Sequence, residues 1–468
     1  MAKGINPGSV SGHHKIRASQ RWIFLALMAA VAAFLGGASR YDAIQIVPLR
    51  TLSSFLIIPA LYYLTHHDLK REVALVSLFG MLVILIGSQL ISLPSEIWHT
   101  LPGRNAIRQM DSALGYGDIW RPLSMAPTRT WNAFGSLVLP AAGLLLAIAL
   151  RARTRDLLQI IAGLGILNAA LGLLQVISGR SSPLYFYELT NWGSAVGIFA
   201  NENHSAIFAA CSLLVVARLG LETRIERSAS WLSIFYPAVF FFIILVALVS
   251  GSRAGFAACL GAALISSIMI AVSPSRRSVK SVSDQESRWS RRRPYLIAFI
   301  PLTVLAMTVI AFATLGRSPA FSDILARDSF ADLRWSILPV ISEMLSTYWL
   351  VGSGFGSFEQ VYQIHEPSAL LMPHYVNQAH NDWLQLLIEG GVIAGGLLIG
   401  LATWVVKAIA RIFSAREASG LGIFWISIFS VIGAASIVDY PLRTPIFQLV
   451  LIWLLVALSR DQRGAEDT

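Results

Sequence analysis

Gly352-Ser353-Gly354-Phe355-Gly356-Ser357-Phe358, a polar segment carrying His365 and His374, and then Ala379-His380-Asn381-Asp382-Trp383-Leu384-Gln385 at the head of an apolar run reaching about residue 406 form the stretch that decides the fold. A run of that length matches the roughly 20 apolar residues a helix needs to cross a bilayer core. A glycine-broken polar loop thus feeds straight into a membrane helix. Histidine-bearing backbone at that boundary is where chemistry at a lipid surface would sit, and the rest of the chain reads as scaffold that holds it there.

The pattern repeats outward from this stretch. Apolar runs fall at about 22–39, 44–64, 73–93, 133–150, 157–177, 198–217, 231–250, 254–273, 295–315, 384–406, 421–438 and 446–459. The 468 residues are 55% hydrophobic and only 13% charged, with mean hydropathy +0.63. Soluble domains carry about a quarter charged residues, so the composition excludes a soluble globular protein. The expectation is an all-α polytopic membrane protein of about 12 transmembrane helices. Residues 1–468 form a single membrane domain, with a large loop, about 316–383, between helices 9 and 10. The run after Arg21 is long enough for a first helix rather than a signal peptide. Cys211 and Cys259 both lie inside apolar runs and read as small buried hydrophobes.

A net charge of +10 could point to nucleic acid, but the basic residues sit in short runs between apolar segments. Alternate connections, from the N-terminus through Lys70-Arg71, Arg151 to Arg155, Arg218 to Arg227, Arg276 to Arg293 and Lys407 to Arg416 to the C-terminal tail, hold about 24 of the 36 Lys and Arg residues. By the positive-inside rule these connections and both termini are cytoplasmic, and nucleic-acid binding is discounted. The long loops at about 94–132 and 316–383 then face outward. Their Trp98, Trp120, Trp131, Tyr348, Trp349 and Tyr362 suit the headgroup layer.

Few arginines face outward. Arg253 lies in the short turn Gly251-Ser252-Arg253-Ala254-Gly255, Arg443 in the hairpin Asp439-Tyr440-Pro441-Leu442-Arg443-Thr444-Pro445, and Arg50 one turn into an apolar segment after Pro48. A planar guanidinium grips phosphate or pyrophosphate through paired hydrogen bonds. The competing reading is that these side chains snorkel to headgroups or pair with Asp439, Asp42 or Glu202. His380 is the natural proton acceptor, with neighbouring Asn381 or Asp382 able to hold its tautomer; alternatively it only borders the helix or touches lipid phosphate. Glu389 lines a cavity or pairs with an arginine, and Gly391, Gly395 and Gly396 allow close helix packing. The spacing of His365, His374 and His380 matches no compact ligand set, so no metal site is expected.

Several of these pieces resemble the O-antigen ligase and O-antigen polymerase superfamily of bacterial envelope glycosyltransferases. They are Phe199-Ala200-Asn201-Glu202-Asn203-His204-Ser205-Ala206, the Gly251 to Gly255 turn, Arg334 followed by Gly352 to Phe358, and Ala379 to Gln385 with Glu389-Gly390-Gly391; the Asp439 to Pro445 hairpin is a weaker addition. Together they span about 195–445, the region related to that superfamily. The resemblance implies a GT-C-like fold in the bacterial inner membrane. It implies a periplasmic site that takes a glycan from an undecaprenyl diphosphate carrier, without cofactor or metal, and passes it to a glycan or lipid A core acceptor. It makes His380 the base and Arg253 a diphosphate contact. Arg334, Arg180, Arg443 and Arg50 are further candidates, with Asn203 and Asn381 carried by the matching motifs. The family's second arginine close before the Asn-x-Asn piece is absent, since Ser194 and Ala195 stand there. Competing classes are a flippase for a lipid-linked oligosaccharide, a protein O-oligosaccharyltransferase, and a non-catalytic partner in a polysaccharide machine.

Overall fold

The computed structural model describes residues 18–225, 231–249, 252–273, 329–371, 376–414 and 419–466. The expected ninth span at about 295–315, His374, and the start of the 316–383 loop lie outside the described residues. Within them the chain is helical: α1 (Ala18–Leu35), α2 (Ile46–Tyr63), α3 (His66–Arg71), α4 (Val73–Ser88), α5 (Ser95–Trp98), α6 (Asn105–Leu114), α7 (Pro127–Ser136), α8 (Val138–Ala149), α9 (Thr154–Ser178), α10 (Glu202–Ile225), α11 (Leu232–Val249), α12 (Arg253–Val272), α13 (Ser329–Tyr348), α14 (Phe358–His365), α15 (Asp382–Ser414), α16 (Ser419–Val438) and α17 (Pro445–Glu466). Among the described residues nine helices are long and apolar enough to cross a membrane, counting α7 and α8 as one, and α4 and α11 supply shorter apolar helices. The chain is therefore an all-α, multi-pass membrane protein.

Burial sorts these helices. In α10, 83% of the span is inside the protein, against 17% in α15 and 22% in α2, so α10 is the central post and the other two face lipid. Small residues let neighbours approach α10. A Cβ on Gly255 would come within 2.1 Å of the Ala206 Cβ, and one on Gly165 within 2.4 Å of the Ser212 hydroxyl. With lipid tails as apolar as leucine, such close packing replaces the hydrophobic effect as the force between helices. Phe199, Phe208 and Phe447 meet in tilted and edge-on contacts at 5.5 to 5.8 Å between centroids and close the core between α10 and α17.

Among the described residues the connections gather at two ends of the helices. At one, ion pairs Arg151–Asp68, Arg153–Asp156, Arg21–Asp156, Arg463–Glu72 and Arg218–Asp461 tie the basic segments together. At the other, the Gly37 carbonyl accepts from Ala200 N at 3.1 Å, the Gly36 carbonyl from Ile446 N at 3.0 Å, and Gly37 N donates to the Tyr187 hydroxyl at 2.7 Å.

The described parts of the two long loops make one cap at the second end. Short strands Ser92–Leu93 and Arg121–Pro122 pair antiparallel. Arg104, fully buried, donates to the carbonyls of Pro102 (2.6 Å), Leu123 (3.0 Å) and Gly352 (3.0 Å), stapling the first loop to the glycine loop. Trp98, Tyr348 and Tyr362 are each 1% exposed, so three of the aromatics expected at the headgroups are cap core; Trp120, Trp131 and Trp349 remain exposed. The reason is local: Trp98 donates its indole N–H to the Pro122 carbonyl at 2.7 Å, and Tyr348 stands over Gly103.

Candidate functional site

Gly352, Gly354 and Gly356 all have positive φ (84°, 110° and 81°), which is why this loop is glycine at every second position. Ser353 N and Gly354 N donate to the Ile388 and Glu389 carbonyls at 2.9 and 3.0 Å. Those carbonyls are free because α15 breaks at Gly391 (φ 63°, ψ −160°), where Leu350 O instead accepts from Val392 N at 3.2 Å. Gly391, read from sequence as a packing glycine, is thus a helix break. Gln89 completes the joint, donating to the Glu389 carbonyl (2.9 Å) and accepting from Phe355 N (2.8 Å).

At the head of α15 the Asn381 side chain accepts from Trp383 N at 3.1 Å and Leu384 N at 3.0 Å. It is the helix N-cap. His380, immediately before it, takes a left-handed φ of 49°, a conformation that costs a non-glycine residue about 1–3 kcal/mol and needs surrounding contacts to persist. Two such contacts are Ala379 N donating to Gln385 Oε1 at 3.0 Å and the Tyr440 ring edge-on to the imidazole at 4.9 Å.

The turn turns the ring toward Asp439 at the end of α16. His380 Nδ1 lies 3.7 Å from Asp439 Oδ1, and His204 Nε2 approaches the same oxygen at 3.7 Å from the first turn of α10. Asn203 Nδ2 donates to Asp439 Oδ2 at 3.1 Å, and Tyr440 N to Oδ1 at 2.9 Å. Burial opposes the charge on Asp439, but the His204 and His380 rings outweigh it and hold the carboxyl below the ordinary carboxylate range. Nδ1 of His380 is buried while the side chain keeps 22% of its surface open, so the accessible part of the ring is away from Asp439. A carboxylate facing Nδ1 favours the tautomer with its proton there, leaving the Nε2 lone pair free.

Gln378 and Asp382, sequence neighbours of His380, line a cavity of about 600 Å³; His380 itself is not part of that lining. Its walls are mostly apolar, with Leu78, Phe79, Leu82, Leu397, Leu401 and Val405 among them, and Arg40, Arg50, Arg129 and Arg443 reach it. Their charges differ in availability. Arg443 Nη1 donates to Glu389 Oε2 at 2.7 Å and its Nε lies 3.5 Å from Asp382 Oδ1, so two carboxylates claim one cation. Arg40 pairs bidentately with Asp42, and Arg129 meets Glu359 at 3.3 Å while lying over the Tyr41 ring. Arg50 donates to the carbonyl and side-chain oxygens of Asn132, both at 2.8 Å and both neutral, so its charge is the least compensated of the four.

The remaining sequence-predicted residues are placed as follows. Half-buried Arg253 opens α12, where Ser252 Oγ accepts from Gly255 N at 3.0 Å, and Gly255 rests on Ala206, two residues after His204. Arg180 is exposed, beside Gly193. The backbone of Arg334 belongs to α13, and its side chain lies outside the described residues. Neither Arg180 nor Arg253 lines the cavity. Sequence reading did not single out Asp439 or His204 as working groups, although the Asn201 to His204 motif and the short Asp439 hairpin both carried them.

Residues 238–399 match the family model described as O-antigen ligase. The matched stretch contains Arg253, Arg334, the glycine loop, His380 and Glu389; His204, Asp439 and Arg443 lie outside it. No curated protein matches the chain significantly.

Proposed function

We propose, from the match of residues 238–399 to the O-antigen ligase family model, that this chain transfers a glycan from an undecaprenyl diphosphate carrier to an acceptor hydroxyl, as an O-antigen ligase or surface-polysaccharide polymerase. The observation that carries the reading is the Asp439 carboxylate behind the buried Nδ1 of His380, next to an arginine-bearing apolar cavity. In the reaction the acceptor oxygen bonds to the anomeric carbon, and the bond from that carbon to the carrier phosphate oxygen breaks. The hydroxyl proton goes to His380 Nε2, and the bonding electron pair leaves on the diphosphate. Asp439 stabilises the imidazolium that forms. The leaving diphosphate is already a good leaving group, so the remaining need is compensation of its growing negative charge.

Arg50 leads that role, because it lines the cavity and its partners are neutral; Arg253, at the head of α12 and outside the cavity lining, is a candidate on the resemblance alone. Arg443 serves chiefly to neutralise Glu389 and Asp382 and so to fix α15 below His380. The apolar wall would take the carrier's hydrocarbon chain. The end bearing His380 faces the periplasm, with both termini cytoplasmic, in the bacterial inner membrane; the gathering of the basic connections at the opposite end supports this orientation.

The test is a strain lacking the gene, with its lipid-linked and surface glycans analysed. Single carrier-bound repeats identify a polymerase and long carrier-bound chains a ligase, whereas an unchanged glycan profile overturns the proposal. His380→Ala separates transfer from flipping: a transferase accumulates donor on the outer leaflet, a flippase leaves it inside.

A further inference from the structure

A second concavity, of about 300 Å³, lies at the basic end, far along the helices from His380, and takes no part in the proposed transfer. Arg71, Arg151, Arg153, Arg460 and Arg463 line it, against only two acids, Asp68 and Glu72. Asp156, outside the lining, pairs with Arg153 at 3.0 Å, so the five guanidiniums meet three carboxylates and an excess of two positive charges remains on the lining. The two acids are already committed. Glu72 is buried and shared: Arg463 Nη2 bonds its Oε1, Arg460 Nε lies 3.8 Å from the same atom, and Ser459 Oγ donates to Oε2 at 2.6 Å. Asp68 closes the α3 capping box with Thr65 and takes Arg151 Nε at 2.9 Å. Arg460 and Arg463 also donate to the carbonyls of Ala147 and Arg71, neutral partners that absorb no charge.

A second feature points the same way. Thr154, at the first turn of the 25-residue α9, lines the concavity, so the positive end of a long helix opens into it beside the arginines. Arg151 and Arg153 keep 64% and 67% of their side-chain surface open while each bonds one carboxylate, Asp68 and Asp156, and the N–H groups left over on such forks suit phosphate oxygens. The position is at the end of the bundle, where basic clefts between membrane helices meet the headgroups of the cytoplasmic leaflet.

We propose that this cleft is a binding site for a phosphate group, supplied by an anionic phospholipid headgroup, that clamps the turn before α9 to α3 and the C-terminal helix. One bound anion would add a further bridge between three chain segments already joined through Glu72, Asp68 and the carbonyl contacts of Thr154, Arg460 and Arg463. The inference does not depend on the transfer reaction.

The purified full-length protein in neutral detergent is melted with added phosphatidylglycerol, phosphatidylcholine or inorganic phosphate, and its bound lipid is weighed by native mass spectrometry. Phosphatidylglycerol is expected to raise the melting temperature and remain bound through mild activation, while phosphatidylcholine does neither. In R151Q/R153Q, which changes the two exposed side chains, phosphatidylglycerol should bind about tenfold more weakly, the usual loss when charge-assisted hydrogen bonds are removed. R460Q probes the buried wall, and the exposed pair keeps the test decisive if that variant does not fold. Equal stabilisation by inorganic phosphate would assign the site to a soluble anion and overturn the lipid source. Equal binding of both lipids, or a wild-type response in R151Q/R153Q, would overturn the site itself.

Discussion

Asp439→Asn is the substitution on which the proposed chemistry can be worked through. It keeps the shape of the side chain and removes the charge that faces His380 Nδ1 at 3.7 Å. A unit charge pair at that separation is worth about 4 kcal/mol at an effective dielectric near 20. The imidazolium arises only as the acceptor proton moves, so this interaction belongs to the transition state and its loss falls on kcat. About 4 kcal/mol corresponds to roughly 10³ in rate. Partial opening of the ring to solvent lowers this, and we expect kcat to fall on the order of 10²- to 10³-fold. The donor KM should stay within about threefold, because Asp439 faces the histidines rather than the cavity arginines. The assay is transfer from a lipid diphosphate-linked glycan by purified protein in nanodiscs, with a melting curve to show that the variant is folded. A folded Asp439→Asn protein within about fivefold of the wild-type rate would refute the reasoning.

Further expectations follow from the surrounding structure. Arg443→Leu strands the buried Glu389 and Asp382 carboxylates and should cost about 3–5 kcal/mol in denaturant unfolding; adding Glu389→Gln should recover part of that stability. Gly391→Ala puts a side chain at φ 63°, with its Cβ 2.6 Å from the Leu350 carbonyl, and should destabilise by about 2–5 kcal/mol. Gly396→Ala, with nothing within 4 Å, should leave the melting curve in place. The hydrogen bond from Arg121 holds the Asp111 carboxyl below its ordinary value, against a smaller opposing effect of burial. Its contribution is therefore present above the ordinary carboxylate value and disappears as pH falls through the lowered one. Hydrogen exchange in 105–122 should accelerate below about pH 4, and Asp111→Asn should abolish that pH dependence.

The membrane spans were legible because the bilayer admits few alternatives: apolar runs long enough to cross it and basic connections on one side. The position of His380 was legible for the same reason, since a polar segment ending at a long apolar run marks the boundary. Its partner was not. Asp439 follows a different helix, and only the packing of α10, α15 and α16 brings Asn203, His204 and His380 around its carboxylate. Arg443 and Glu389 were each noticed, but their pairing, which leaves Arg443 little charge for a diphosphate, is a fact of three-dimensional arrangement. Arg104 reads in sequence as an ordinary loop residue, because its partners are backbone carbonyls that leave no pattern of residue types. Gly391 shows the opposite ambiguity, since the same residue type serves close packing and positive φ.

The most direct measurement is single-turnover transfer by His380→Gln, alongside its affinity for the lipid diphosphate-linked donor. A side chain of similar size that cannot accept the acceptor's proton should slow transfer by about 10²- to 10⁴-fold while donor affinity stays within a few-fold. Transfer at the wild-type rate by the folded variant would contradict the assignment of His380 as the base.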